Sequence, residues 1–173
     1  KSTAYMMWHN TTMPYNTKNA LCASIAGQIL SMEYLDKIRE KESAAYSVGA
    51  NGGCSVGKDN YRMFQIFAYC PMKPEKKEVA MRIMNDEVKN LANTCDPAKL
   101  AKCKEYMVKQ YHDSQKSNSY WLNIINQYHN LGLDQYTDYL KTLESLTPQD
   151  ICNYMKEFNK SGNHITVAML PEE

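Results

Sequence analysis

The feature that most restricts the fold is a change of hydrophobic period within the first seventy residues. Leu21, Ile25, Ile29, Met32 and Leu35 recur at spacings of four, four, three and three, which draws one apolar stripe along a helix of about Asn16 to Arg39. From Ala44 to Val56 the period becomes two, with several glycines, and after Gly57-Lys58-Asp59-Asn60 it resumes from Tyr61 to Cys70. That is a hairpin. Phe64, Ile66, Ala68 and Cys70 share one face of its second strand and are expected to meet the helices, while Met63, Gln65, Phe67 and Tyr69 share the other.

The remaining segments extend this unit. Thr3 to Asn10 reads as a first strand that stops at Asn-Thr-Thr-Met-Pro. Pro74 suits the first turn of a helix carrying Val79, Ile83 or Met84, Val88 and Leu91, ending near Asn93-Thr94. Asp96-Pro97 starts another, with Leu100, Cys103, Met107 and Tyr111 at helical spacing, broken by Ser114 to Ser119. Trp121, Ile124, Ile125, Tyr128 and Leu131 then form a further apolar face closed by Gly132. A short helix is expected over Gln135 to Leu143, one more from Thr147-Pro148 to about Asn159, and a last strand from His164 to Leu170 before Pro171. The order β-α-β-β-α, extra helices, β predicts an α+β fold: a split β-α-β sheet with helices packed on one face and extra helices before the last strand. At 173 residues the whole chain, 1–173, is expected to be one domain.

Composition excludes several functions. Twenty basic side chains against nineteen acidic ones lack the excess that a nucleic-acid binder carries, so no nucleic acid is expected as a partner. No apolar run reaches the length of a membrane span, and Lys1 to His9 does not have the pattern of a secretory signal. A first residue other than Met, just ahead of an apolar run, leads us to expect a piece cut from a longer polypeptide. Cys22, Cys54, Cys70, Cys95, Cys103 and Cys152 are scattered with no C-x-x-C pair, which favours reduced, core-packed thiols.

Nor does the chain carry a self-contained active site. A catalytic zinc needs three protein ligands, two of them close together on one helix, and His9, His112, His129 and His164 lie far apart. No metal is assigned. The Gly-x-Ser-x-Gly elbow and the phosphate-binding and dinucleotide loops are missing. The run from Lys73 to Glu78 alternates charge and reads as a solvated helical turn, and the thirteen tyrosines and eleven methionines have the spacing of core or half-buried positions. What stands out is Leu35 to Val48, where the long helix ends and the hairpin begins. Arg39 and Tyr46, seven residues apart, are brought to the same end of the sheet and could face one ligand. Arg39 is equally at home as a cation at a helix C-terminus or paired with Glu42, and Tyr46 as a plain strand residue.

This segment resembles the corresponding part of the pitrilysin and insulin-degrading family of zinc metallopeptidases, which includes relatives like the mitochondrial processing peptidase. There a long helix ends in an Arg within a pattern like Leu-Arg-x-x-x-x-x-Gly-Tyr, and Arg39 and Tyr46 reproduce the seven-residue spacing. Ala45 stands where family members commonly carry Gly. The likeness runs over nearly the whole chain, through Pro71-Met72-Lys73-Pro74, the Trp121 region, Leu146-Thr147-Pro148-Gln149-Asp150-Ile151 and the closing strand.

That family builds its enzyme from two similar halves around a chamber, and only one half carries the inverted zinc motif. This chain resembles the other half, the non-catalytic C-terminal type. The resemblance implies no catalytic residue and no cofactor here, zinc in a partner domain of the same or a second chain, and Arg39 and Tyr46 as contacts to a bound peptide substrate. A tyrosine hydroxyl is a neutral donor suited to a scissile carbonyl or its oxyanion, and a guanidinium stays charged at any working pH. Bacterial relatives are often periplasmic. Two rivals remain: a structural or assembly subunit of the same fold, and a small-molecule module, which would need a deep apolar pocket of which the sequence gives no sign.

Overall fold

The computed structural model describes residues 2–59 and 61–170, so Asn60 of the predicted turn and Pro171 after the last strand lie outside the described residues. Strand β1 (Ser2–Asn10) leads into helix α1 (Thr17–Tyr34), which continues as a wider π-type turn over Leu35–Lys41. The hairpin follows as β2 (Gly49–Val56) and β3 (Arg62–Met72). Helices α2 (Lys77–Asn90), α3 (Pro97–Ser114), α4 (Asn118–Leu131), α5 (Tyr139–Ser145) and α6 (Pro148–Asn159) precede β4 (His164–Met169). The four strands form one antiparallel sheet in the order β2-β3-β1-β4. The fold is α+β, as the change of period predicts.

Helices cover one face of the sheet over β1, β2 and β3, while the edge strand β4 is exposed on both faces. Ala4, Met6 and Trp8 of β1 and Phe64, Ile66, Ala68 and Cys70 of β3 are buried against Leu21, Ile25, Ile29 and Leu30 of α1 and against Met84, Ile151, Met155 and Phe158 of α2 and α6. The approach of α1 to β2 is set by two glycines. A Cβ on Gly27 would sit 2.1 Å from the backbone nitrogen of Gly52, and one on Gly52 would sit 2.0 Å from the carbonyl oxygen of Ala23. Any side chain there would push the helix off the strand.

The opposite face is bare and apolar. Tyr5 pairs with Tyr69 and Val167, and Met7 with Phe67 and Ile165, so an aromatic and aliphatic row crosses three strands with its side chains at least partly exposed. Tyr5 touches Phe67 and Tyr69 at ring-centroid distances of 6.0 and 5.4 Å.

Several details differ from the sequence reading. The first strand of the hairpin begins at Gly49, not Ala44, because the chain first turns out of the helix through Ser43 at φ 49°. Ala44 and Ala45 then serve as a link, Ala45 bridging Met72 alone. Residues 74–76 form a tighter 3-10 turn before α2. The short helix expected from Gln135 starts at Tyr139, since the Asp134 carboxylate accepts from the backbone N–H groups of Tyr136 and Thr137 at 2.9 Å and holds an Asx turn. Finally, α4 has the predicted apolar side chains but buries none of them among the described residues.

Candidate functional site

The chain segment carrying Arg39 and Tyr46 is fixed from below. Ile38 and Ala44 are fully buried and Val48 nearly so. The backbone N–H of Ala44 returns to the carbonyl of Ile38 at 3.0 Å, that of Glu42 to Lys37 at 3.2 Å, and Lys73 N–H donates to the Ala44 carbonyl at 3.0 Å. With Ser43 in the left-handed region this is a helix stop one residue wider than a Schellman turn, as the π-type end of the helix requires, and the Lys73 bond ties the end of α1 to the end of β3. The left-handed residue is Ser43 rather than Ala45, so the departure from glycine at position 45 costs the turn nothing.

Above this anchored backbone the two side chains lie on the surface. Tyr46 is 88% exposed and its hydroxyl has no protein partner among the described residues. The Arg39 guanidinium lies over its ring, 5.6 Å from the centroid, and its Nε is 3.3 Å from a Glu40 carboxylate oxygen. An exposed cation over an aromatic face is worth about 0.5–1 kcal/mol, enough to bias the pair toward one arrangement without burying either group. Of the two structural alternatives for Arg39, pairing with Glu42 is not made; Glu42 is 3.2 Å from Lys76 instead. The structure therefore brings Arg39 and Tyr46 together, with a cationic fork and a phenol presented on one exposed patch.

No group of three or more His, Cys, Asp or Glu able to hold a metal occurs among the described residues. The six cysteines are free and five of them are buried. Burial pushes Cys22 and Cys95 up to about 12 and Cys70 and Cys103 up to about 11, so these thiols stay protonated and are poor ligands and nucleophiles. The largest charged cluster, in which Lys37 bridges Glu33 and Glu87 while Lys99 bridges Glu33 and Asp36, pairs its charges internally and joins the end of α1 to α2 and α3.

A second feature went unseen in the sequence. A cleft of about 420 Å³ opens at the first turns of α1, lined by Tyr15, Tyr111, Tyr120 and Tyr139 together with polar side chains from α3 and α4. Tyr111 stacks on Tyr139 at 4.7 Å and an interplanar angle of 10°. The tyrosines read as core do include the buried Tyr34, Tyr111 and Tyr154, but Tyr46, Tyr106 and Tyr128 are more than half exposed. The signal was the clustering of Tyr111, Tyr120, Tyr136 and Tyr139 around polar residues; periodicity alone does not tell a cleft wall from a core.

Among solved structures the fold recurs widely. The periplasmic protease PqqL from Escherichia coli superposes at a TM-score of 0.76 with 20% identity, covering 99% of this chain and 19% of that one. The peptidase M16 inactive domain from Pseudomonas fluorescens gives 0.70 and 18%, over 97% of this chain and 41% of that one. A chain of Complex III2 from Candida albicans gives 0.72 and 11%, over 96% and 42%. At these identities the likeness shows the fold, and this chain spans less than half the length of each of the three. No curated protein matches the chain by sequence. A family model for the peptidase M16 inactive domain, however, matches residues 1–107, well over half of the sequence and the part that includes Arg39 and Tyr46. On that match the chain belongs to the inactive-domain family of the M16 zinc peptidases.

Proposed function

We propose that this chain is one substrate-facing, non-catalytic domain that positions extended peptide against a zinc site held by a partner domain. The observation that carries the reading is the Arg39–Tyr46 pair: two side chains suited to grip a peptide carbonyl, exposed together on backbone that is pinned from beneath. The ring of Tyr46 meets the Arg39 guanidinium, and its hydroxyl, with no protein partner among the described residues, is free to donate to a substrate oxygen. The partner domain supplies the zinc and the base that activates water. This domain supplies alignment, which converts a diffusional encounter into a held geometry. Support for a partner comes also from the uncovered apolar sheet face of Tyr5, Phe67, Tyr69 and Val167, which a neighbouring domain of the same or a second chain would cover.

A photo-crosslinking phenylalanine analogue placed at position 46 tests this in the assembled enzyme, with zinc chelated to halt turnover. A bound unfolded peptide is expected to label position 46 and not position 61, a half-exposed tyrosine beside the other end of the hairpin. Equal labelling at both positions, or none at 46, removes the substrate-facing role. The second reading, a structural assembly subunit, is favoured by one observation: the fold also occurs in a chain of Complex III2. Under it, position 46 labels a neighbouring protein chain whether or not peptide is added.

A further inference from the structure

The cleft at the N-terminal end of α1 lies far from Arg39 and Tyr46, roughly 30 Å along the helix from Thr17 to Arg39 at 1.5 Å per residue. Its volume of about 420 Å³ falls in the range of small-ligand sites, roughly 300–1,000 Å³. Although 23% of the chain is charged, no charged residue lines it. Every polar group on its wall is a phenol, an aliphatic hydroxyl, a carboxamide, a thiol or backbone. Four of them, the hydroxyls of Tyr120 and Tyr139 and the amides of Gln110 and Asn123, make no side-chain hydrogen bond within the protein among the described residues, while Gln135 Nε2 donates to the Tyr15 hydroxyl at 3.1 Å. Burial raises Tyr15, Tyr120 and Tyr139 and pushes Tyr111 up to about 12, so all four phenols are neutral at physiological pH.

Such a wall selects by charge and by hydrogen-bonding type. A phosphate, a carboxylate or an ammonium group entering it would lose water and meet no counter-ion on the wall itself, since the Arg62 guanidinium lies against the Tyr15 ring, 5.8 Å from its centroid, and is not part of the lining. A purely apolar ligand would strand the free amides and hydroxyls. The groups present both donate and accept, and the tyrosine rings offer flat apolar surface beside them. These are complementary to a ring that carries hydroxyls at its edge and C–H groups on its faces. We propose that this cleft binds an uncharged saccharide of one or two pyranose rings, clasped between α1 and β2 on one side and α3 and α4 on the other. The site is independent of the peptide-facing reading of Arg39 and Tyr46.

Titration calorimetry and saturation-transfer NMR on the intact chain, with maltose and cellobiose as probes and glucose 6-phosphate, indole and adenosine as controls, test it. At least one disaccharide is expected to bind, glucose 6-phosphate at least about tenfold more weakly. Asn123→Ala and Gln110→Ala, both at exposed helix positions that leave the fold intact, are each expected to weaken binding about tenfold, and Tyr139→Phe to weaken it while keeping the ring stack. Failure of both disaccharides to bind overturns the proposal, as does tighter binding of indole or adenosine than of either sugar. Sugar binding that survives all three substitutions places any saccharide site elsewhere and overturns it too.

Discussion

The two ends of the α1 helix are built on opposite plans. At the N-terminal end side chains brace the helix itself: Asn16 caps it by accepting from the Asn19 N–H at 2.8 Å, Lys18 meets Asp150 of α6 at 2.5 Å, and Tyr111 and Tyr139 stack behind the first turns. At the C-terminal end the backbone is tied down by Ile38, Ala44 and a helix stop, but Arg39 and Tyr46 point outward with little to hold but each other. The first end is held by side chains, and the second holds side chains ready for something outside. Between them lies the glycine seam against β2, on which the relative placement of both ends depends.

The largest effect is expected at that seam. Gly27→Val puts a branched side chain where even a Cβ would lie 2.1 Å from backbone, and backbone cannot yield as a flexible side chain does. The loss is expected to exceed ordinary overpacking and reach about 4 kcal/mol, read as a fall in the urea midpoint. It is also expected to disturb both ends together. A Gly27→Val protein of unchanged stability would mean that α1 and β2 are not in the contact on which the comparison rests.

The next effect separates the ends. If the hydroxyl of Tyr46 stabilises the developing oxyanion, Tyr46→Phe lowers turnover in the assembled enzyme by about 10² to 10³, or about 3–4 kcal/mol, with the unfolding temperature of this domain unchanged. Arg39→Ala, if the guanidinium holds peptide equally in ground and transition states, raises KM and leaves kcat nearly as it was. A stabilising role gives the reverse pattern in both variants: lower unfolding temperature, and cleavage altered only as far as the fold is lost. Wild-type kinetics from either variant removes that residue from the site.

Periodicity carried the sequence reading where burial follows from one element alone. Leu21, Ile25 and Ile29 of the α1 stripe, the inward set Phe64, Ile66, Ala68 and Cys70, the cap at Asp96 and the capping box of Thr147 and Asp150 were all legible, because each is a local pattern with one physical solution, whereas Met32 and Leu35 are only half-buried and the buried surface of α1 reaches round to Leu30 and Tyr34. The nearness of Arg39 and Tyr46 was legible for the same reason, since the helix stops between them and the chain turns back toward the sheet. Residues whose fate depends on a distant segment were not. Ile125 and Tyr128 have the spacing of a buried stripe, yet among the described residues no other element arrives to cover them. The cleft gathers residues from position 15 to position 139, and no window of sequence contains it. Ser43 at positive φ, and with it the delayed start of β2, has no compositional cue, as serine is not a residue that announces a left-handed turn.

The smallest effect probes the N-terminal end through pH. Asp150 is held down to about 2, chiefly by its bond to the Lys18 ammonium and then by the Thr147 hydroxyl, with a further bond from the Thr147 backbone N–H at 2.9 Å. The unfolded chain restores an ordinary carboxylate value near 4. A group whose folded value is depressed contributes stability above its unfolded value, and loses it as pH falls toward the folded one; here the window runs from about 4 down to about 2. Both partners are partly solvated, with side-chain exposures of 54% for Lys18 and 22% for Asp150, so screening reduces the contribution to about 1 kcal/mol. Asp150→Asn keeps an acceptor for the Thr147 cap and removes the charge. Urea unfolding is expected to show the variant about 1 kcal/mol less stable than wild type at pH 6, with the gap closing as pH approaches 2. Acid weakens other carboxylate contacts in both proteins alike, so the difference between the two isolates this group. A gap that stays constant with pH would make the contribution of Asp150 one of shape and capping, and the N-terminal end of α1 would then be held by packing without help from charge.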